Sequence, residues 1–300
     1  MNTIVAVPFD ERIAEHIGKK GSENSITFYN RKIDGNAVVV LMPSSLEEKF
    51  YALPQSLLMA DQIIVSTRDI DKLFGEVLIA CSLLEKRVIF TKDNDISKLI
   101  TGISFKDVAF ADYDNIFVAL MPFMREESKG KQTRIDIDKA FGVKGVGTVA
   151  LGIVTRGTLS VHDTLYHNSS KSIVVRSIQS LDEDIKEATT GTRVGVALKG
   201  IDDKDIKKGD VLSSIEIKPA KLLEISMKMS SFVIEALECG KSYGIAIGFT
   251  YTTATVESIS DSKISIKLER AVPVEIGDTV MFVRTIAPRI FASGKVENAK

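Results

Sequence analysis

At 300 residues, 44% apolar and 26% charged, the chain has the composition of a globular protein, outside the disordered and fibrous ranges. Lys and Arg number 39 against 40 Asp and Glu, which excludes a strong overall field toward nucleic acid or an anionic membrane and leaves room for a local site only. Apolar stretches such as Ala37 to Pro43 and Ile116 to Met124 fall far short of the roughly 20 residues that span a bilayer, and the length suits two or three domains at about 100–200 residues each.

The chain turns polar by Asp10, with no basic segment leading into a long apolar one, so no secretory signal is expected. From Asn2 to Pro122, β-rich runs (Thr3–Val7, Ala37–Leu41, Gln62–Ser66, Arg87–Thr91, Ile116–Leu120) alternate with segments of helical period, predicting a parallel α/β layer. One helix is predicted over 70–85, where Leu73, Val77, Cys81 and Leu84 form an apolar stripe. A second is predicted over 46–59, with a kink or break at Pro54. Residues 126–132, polar and charged, read as a linker or exposed hairpin loop.

Beyond it, strands are predicted at Gly147–Val154, Ser172–Ile178, Arg193–Leu198 and Gly209–Ser213, an all-β barrel pattern. A further six follow from about Lys218: Leu222–Met229, Ser242–Phe249, Thr252–Ile259, Lys263–Leu268, Thr279–Val283 and Ala292–Val296, enough for a second small barrel. The expected division is therefore 1–125, 126–217 and 218–300, with net charges of −3, 0 and +2. The fold class is multi-domain, a parallel sheet with helices followed by two small antiparallel β-barrels.

Three histidines (His16, His162, His167) and two cysteines (Cys81, Cys239) offer no ligand cluster of metal spacing. His162 and His167 sit near a turn and are expected to be solvated. Both cysteines lie in apolar sequence without a CxxC pair, so buried thiols and a reducing cytoplasm are expected. No GxSxG elbow or recognisable Cys/His pair marks a hydrolytic nucleophile.

Gly-Lys occurs four times, and only Gly240-Lys241-Ser242 completes the second half of a phosphate loop. Its first glycine position is Glu235, and the surroundings read as a β-hairpin, which makes Gly240 a turn glycine. After the first strand the chain runs Pro8-Phe9-Asp10-Glu11-Arg12-Ile13, two acids and no glycine where a phosphate cradle would stand. No Asp stands three residues before any of the 20 glycines, so an Asp-x-x-Gly magnesium element is absent. The run from Phe141 to Gly157, with glycines at 142, 145, 147, 152 and 157, fails as a dinucleotide fingerprint because Ala150 replaces the third glycine and a strand follows. It reads as a twisted strand with bulges and tight turns.

This run resembles the opening of the second domain of translational GTPases of the EF-Tu and SelB group. The matching segments are Asp138-Lys139-Ala140-Phe141, Gly145-Val146-Gly147-Thr148-Val149, Val175-Arg176-Ser177-Ile178-Gln179, Gly191 to Gly200 and Lys208-Gly209-Asp210-Val211-Leu212. Together they are more similar to the archaeal SelB type than to EF-Tu, with one departure at Val161-His162-Asp163, where the family has Gly-Asp. Glu275-Ile276-Gly277-Asp278 and Ala292-Ser293-Gly294-Lys295-Val296 resemble the third-domain barrel.

The resemblance makes the first 125 residues a reduced, degenerate G domain. Met59-Ala60-Asp61-Gln62 resembles the segment after the switch helix, Leu41-Met42-Pro43-Ser44 stands at the magnesium and switch motif, and Thr91-Lys92-Asp93-Asn94 stands at the guanine reader. A carboxylate accepts from both guanine N1–H and the 2-amino group, whereas the amide of Asn94 cannot do so with both atoms. The implied protein is elongation-factor-like, not an enzyme, without GTP or magnesium as cofactor and without a metal. It is cytoplasmic and binds tRNA, the ribosome or a translation factor.

Asp138, Phe141 and Arg193 match the region around the aminoacyl end of tRNA. Their plainer readings are a turn cap, a core ring and an ion pair with Asp182 or Glu183. Lys139, Lys144, Arg156, Arg176, Arg284 and Arg289 are phosphate-contact candidates; Thr91, Lys92 and Asn94 form the degenerate guanine motif. A nucleotide-driven switch with an unconventional GTP site is the alternative, and a dimerisation role for the α/β part is a third reading. No SelB-style fourth domain is expected after the final predicted strand.

Overall fold

The computed structural model describes residues 2–33, 35–120, 132–168, 171–233, 235, 237–260 and 262–300. Seven strands build the first sheet: Thr3–Ala6 (β1), Lys19–Lys20 (β2), Ile26–Ile33 (β3), Asn36–Pro43 (β4), Gln62–Val65 (β5), Arg87–Thr91 (β6) and Asp107–Ala111 (β7). Their order is β2-β3-β4-β1-β5-β6-β7. From β4 to β7 the neighbours are parallel, while β2 and β3 add an antiparallel extension, so the sheet is mixed. The runs TIVA and QIIV are buried along their length, as strands covered on both faces must be.

Among the described residues five α-helices flank the sheet: Glu11–Ile17 (α1), Ala52–Met59 (α2), Lys72–Leu84 (α3), Ser97–Ile100 (α4) and Ile116–Leu120 (α5). On one face Leu57 of α2 and Phe74, Val77 and Cys81 of α3 pack against Ile4, Ile63, Val65 and Phe90. On the other, Ile13 and Ile17 of α1 and Ile116 and Leu120 of α5 pack against Val5, Ile64 and Ile89. The helix predicted over 46–59 begins only at Ala52 and is not broken at Pro54, which falls in its first turn, where a missing N–H costs nothing. Residues 116–120, predicted as a strand, are a helix, and the edge position belongs to β7.

The first barrel comprises Arg134–Val143 (β8), Gly147–Arg156 (β9), Thr158–Ser160 (β10), Thr164–His167 (β11), Lys171–Ser180 (β12), Glu183–Ile185 (β13), Glu187–Thr189 (β14), Arg193–Lys199 (β15) and Val211–Ser213 (β16). Six of them close antiparallel in the order β11-β16-β8-β9-β15-β12 and back to β11. Gly145 and Gly147, at φ +82° and +98°, turn the β8–β9 hairpin. Gly152 is needed for space instead. A Cβ there would lie 2.7 Å from the Asp136 carbonyl oxygen, so strand crossing requires its absence. The second barrel closes six antiparallel strands, Pro219–Met229 (β17), Ser242–Ile247 (β18), Thr250–Ser260 (β19), Lys263–Pro273 (β20), Thr279–Val283 (β21) and Ile290–Ala299 (β22), in the order β17-β20-β19-β18-β21-β22. Gly240 sits in the turn before β18 at φ +81°. Residues 126–131 of the linker or hairpin loop predicted at 126–132 lie outside the described residues.

Three seams join these units. The sheet meets the second barrel through a continuous core, in which Ala246, Phe249, Met281, Val283 and Ile290 pack with the α2–α3 face. Buried Glu76 of α3 accepts from the Arg289 N–H and Nε and the Ile290 N–H at 2.7–3.2 Å. The sheet meets the first barrel through polar contacts: the Asn2 side-chain amide donates to Thr190 O and Thr192 Oγ1 at 3.3 and 2.8 Å, and Lys32 pairs with Glu183. Between the barrels, buried Arg134 contacts Asp136, Glu275 and Asp278 at 2.9–3.1 Å. Burial pushes the Asp278 carboxyl up against the opposing pull of Arg134.

Candidate functional site

Ligands of open α/β sheets sit at the carboxyl ends of strands where successive connections diverge, which here lies between β1 and β5. β1 leaves through Asp10, a left-handed residue at φ 75° that ends directly in α1. The Asp10 carboxylate accepts from Ser66 Oγ at 2.8 Å across the divide and pairs with Arg12 at 2.6 Å. Burial opposes its charge, but Arg12 and Ser66 hold its pKa below the usual carboxylate range. An anion sits where a phosphate would need backbone N–H groups, and α1 spans only seven residues.

The segment Thr91 to Asn94 follows β6 at the same edge. The Thr67 N–H donates to Thr91 Oγ1 at 2.7 Å, and Thr67 Oγ1 donates to the Thr91 carbonyl at 2.9 Å. The Asn94 side-chain amide donates to the carbonyls of Thr67 and Arg68 at 2.8 and 3.0 Å, and Lys92 reaches Asp112 at 3.2 Å. The motif thus ties the β5 and β6 loops together. Among the described residues, no group of three or more His, Cys, Asp or Glu could hold a metal ion.

Asp138 and Arg193 come together at the seam between sheet and first barrel. A bulge in β8, between Ile137 and Lys139, turns Asp138 inward. Its carboxylate meets Arg193 Nη2 at 2.9 Å and faces Lys208 Nζ at 3.9 Å; Arg193 does not pair with Asp182 or Glu183. The Arg193 guanidinium lies 3.7 Å from the Phe28 ring centroid and donates to Ser22 Oγ at 3.2 Å. Asp138 Oδ1 and Arg193 Nη1 are buried without a hydrogen-bond partner. Burial lowers the Arg193 and Lys208 pKa values despite the Asp138 charge.

Beside this pair opens a cleft of about 490 Å³, with Lys19, Lys20, Arg31 and Lys32 of β2–β3 on one wall and Asp182 and Glu183 on the other. Sequence reasoning missed these four cations, because the β2–β3 extension was not predicted. Paired basic residues flanking a β-branched and aromatic run, Ile26 to Tyr29, were the available signal.

The other candidates disperse. Phe141 is half-buried, with Lys139 Nζ 5.8 Å from its ring centroid. Lys139 and Lys144 are exposed along the β8–β9 hairpin, and Arg176 donates to the Val146 carbonyl there. Arg156, Arg284 and Arg289 pair with Glu275, Glu235 and Glu76 respectively, between the units and within the second barrel. Two further expectations need correction. Asp210 draws His167 out of solvent at 2.9 Å, and Cys239 is exposed in the turn before β18, whereas Cys81 is buried.

The family model for elongation factor Tu domain 2 matches residues 147–213, within the first barrel. The uncharacterized protein MJ0325 of Methanocaldococcus jannaschii is 33% identical over 296 residues, covering 95% of this chain and 96% of that protein. The selenocysteine-specific elongation factor of the same organism is 30% identical over 190 residues, 54% of this chain and 40% of its own length. The crystal structure of apo SelB from Methanococcus maripaludis superposes over the whole chain with a TM-score of 0.83 at 19% identity, covering 80% of that protein. The chain therefore spans less than half of the selenocysteine factor it matches.

Proposed function

We propose, from the premise that the chain belongs to the family of MJ0325, elongation-factor-like and built on the SelB plan, that it is a nucleotide-independent binding protein of translation. Its ligand is tRNA, the ribosome or another translation factor, and it has no GTPase activity. The observation that carries this reading is the Asp10 carboxylate, hydrogen-bonded by Ser66 at the divide between β1 and β5. A triphosphate placed there meets a fixed negative charge and no glycine cradle. The use of Asn94 as a loop tie supports the same reading, since both its amide hydrogens are spent on carbonyls.

Binding is supported by the seam that holds Asp138 and Arg193. Lys19 and Arg31 on one wall supply a small local positive surface on a chain of net charge −1, beside Lys20 and Lys32, which are held by Glu11, Glu23 and Glu183; this suits a short run of phosphates rather than long non-specific contact. Lys139 and Lys144 on the β8–β9 hairpin, with Arg176 of β12 bonded to its Val146 carbonyl, offer a second phosphate-facing group, while the carboxylate-bound Arg156, Arg284 and Arg289 are structural. Gel-shift titration with total tRNA and with ribosomes tests the binding role. Binding below micromolar concentrations at low salt is the expected outcome, and its absence for both overturns that role.

A further inference from the structure

The sheet ends at β7, and among the described residues no strand pairs with its outer side. Its alternate N–H and C=O groups therefore face outward. Natural edges are commonly guarded by charges, but Asp107 is turned back onto Arg87 at 3.1 Å. The surroundings are apolar instead. Phe110 of β7 is 48% exposed, Leu99 of α4 is 47% exposed and Val118 of α5 is 67% exposed. Leu99 belongs to the helix whose Ile100 packs on the α2–α3 face, and Val118 to the helix packed on the opposite face. The open edge thus carries apolar side chains above, below and on itself.

The sequence through this edge, Lys106-Asp107-Val108-Ala109-Phe110-Ala111-Asp112, is self-complementary when reversed. Antiparallel pairing about Ala109 sets Lys106 opposite Asp112 of a second copy, twice by symmetry, with Val108 opposite Phe110 on the same face and Asp107 opposite Ala111. Lys106 and Asp112 are both exposed. We infer that β7 is a homodimer edge, joining the sheets of two copies across a twofold axis and burying Leu99, Phe110 and Val118. A second copy suits the edge better than an unrelated strand, because the twofold sets Lys106 against Asp112, which already holds Lys92 of its own chain at 3.2 Å, and brings like helices together on each face.

Charge reversal tests this on the full chain by sedimentation velocity and light scattering. Wild type gives a species of twice 32.8 kDa as its concentration rises to about 100 μM. Lys106→Asp and Asp112→Lys singly place like charges together twice and weaken the dimer at least tenfold, and the double swap restores it. Val118→Lys weakens it independently, with the far-ultraviolet circular dichroism of every variant confirming an intact fold. A wild type that stays monomeric overturns the inference. So does a dimer indifferent to these substitutions, which would use another surface.

Discussion

Asp138 and Arg193 form an ion pair almost wholly withdrawn from water, and each keeps one polar atom without a hydrogen bond. Removing one partner of a buried pair strands the other charge, so Asp138→Ala should lower unfolding stability by about 3–5 kcal/mol in urea titration. Asp210 supplies a pH-dependent contribution. Burial raises its pKa, but hydrogen bonds from His167, Asn168 and the Lys207 N–H outweigh this and hold it below the ordinary value. A carboxyl whose folded pKa is depressed stabilises the fold above its unfolded pKa and loses that contribution as pH falls through the folded one. Wild type should therefore exceed Asp210→Asn in thermal stability at neutral pH, the gap closing at strongly acidic pH; a constant gap would contradict the assignment. The sequence pointed to Asp138 and Arg193 through motif resemblance, yet their pairing depends on a β8 bulge that no local pattern announced. Lys208 lay hidden for the same reason.

At the scale of elements, the six strands of the second barrel and the α3 helix were legible because alternation and the 3.6-residue stripe are both long there. Residues 116–120 misled because five consecutive apolar residues fit a buried helix as well as a strand; the Asp112 to Asn115 segment before them was the helix-start signal. The β3 strand was missed because it is buried over Ile26 to Tyr29 and then turns polar, which breaks the alternation. The glycine run was read as strand and turn, and the structure gives the reason residue by residue. Gly152→Ala must displace the Asp136 backbone or the Ile135 side chain, which a Cβ would approach to 2.7 and 2.9 Å. We expect a loss of about 1–3 kcal/mol in denaturant unfolding, the usual cost of overpacking. An unchanged midpoint would show that β8 and β9 separate without cost.

Across the whole molecule, each of the three units touches the other two, by an apolar core on one side and by ion pairs and amide contacts on the others. Such a triangle presents a preformed surface, and the nucleotide-independent role proposed above requires it to offer one binding state. Near-neutral net charge limits non-specific affinity for nucleic acid, so the proposed binding role rests its specificity on the seam between sheet and first barrel. The most direct test is an equilibrium titration of tRNA and of ribosomes with the full chain at low salt, run without nucleotide, with GTP and magnesium, and with GDP and magnesium. A nucleotide-independent binding protein gives binding below micromolar concentrations and one isotherm under all three conditions. A shift of tenfold or more between GTP and GDP, or no binding in any of them, would contradict that function.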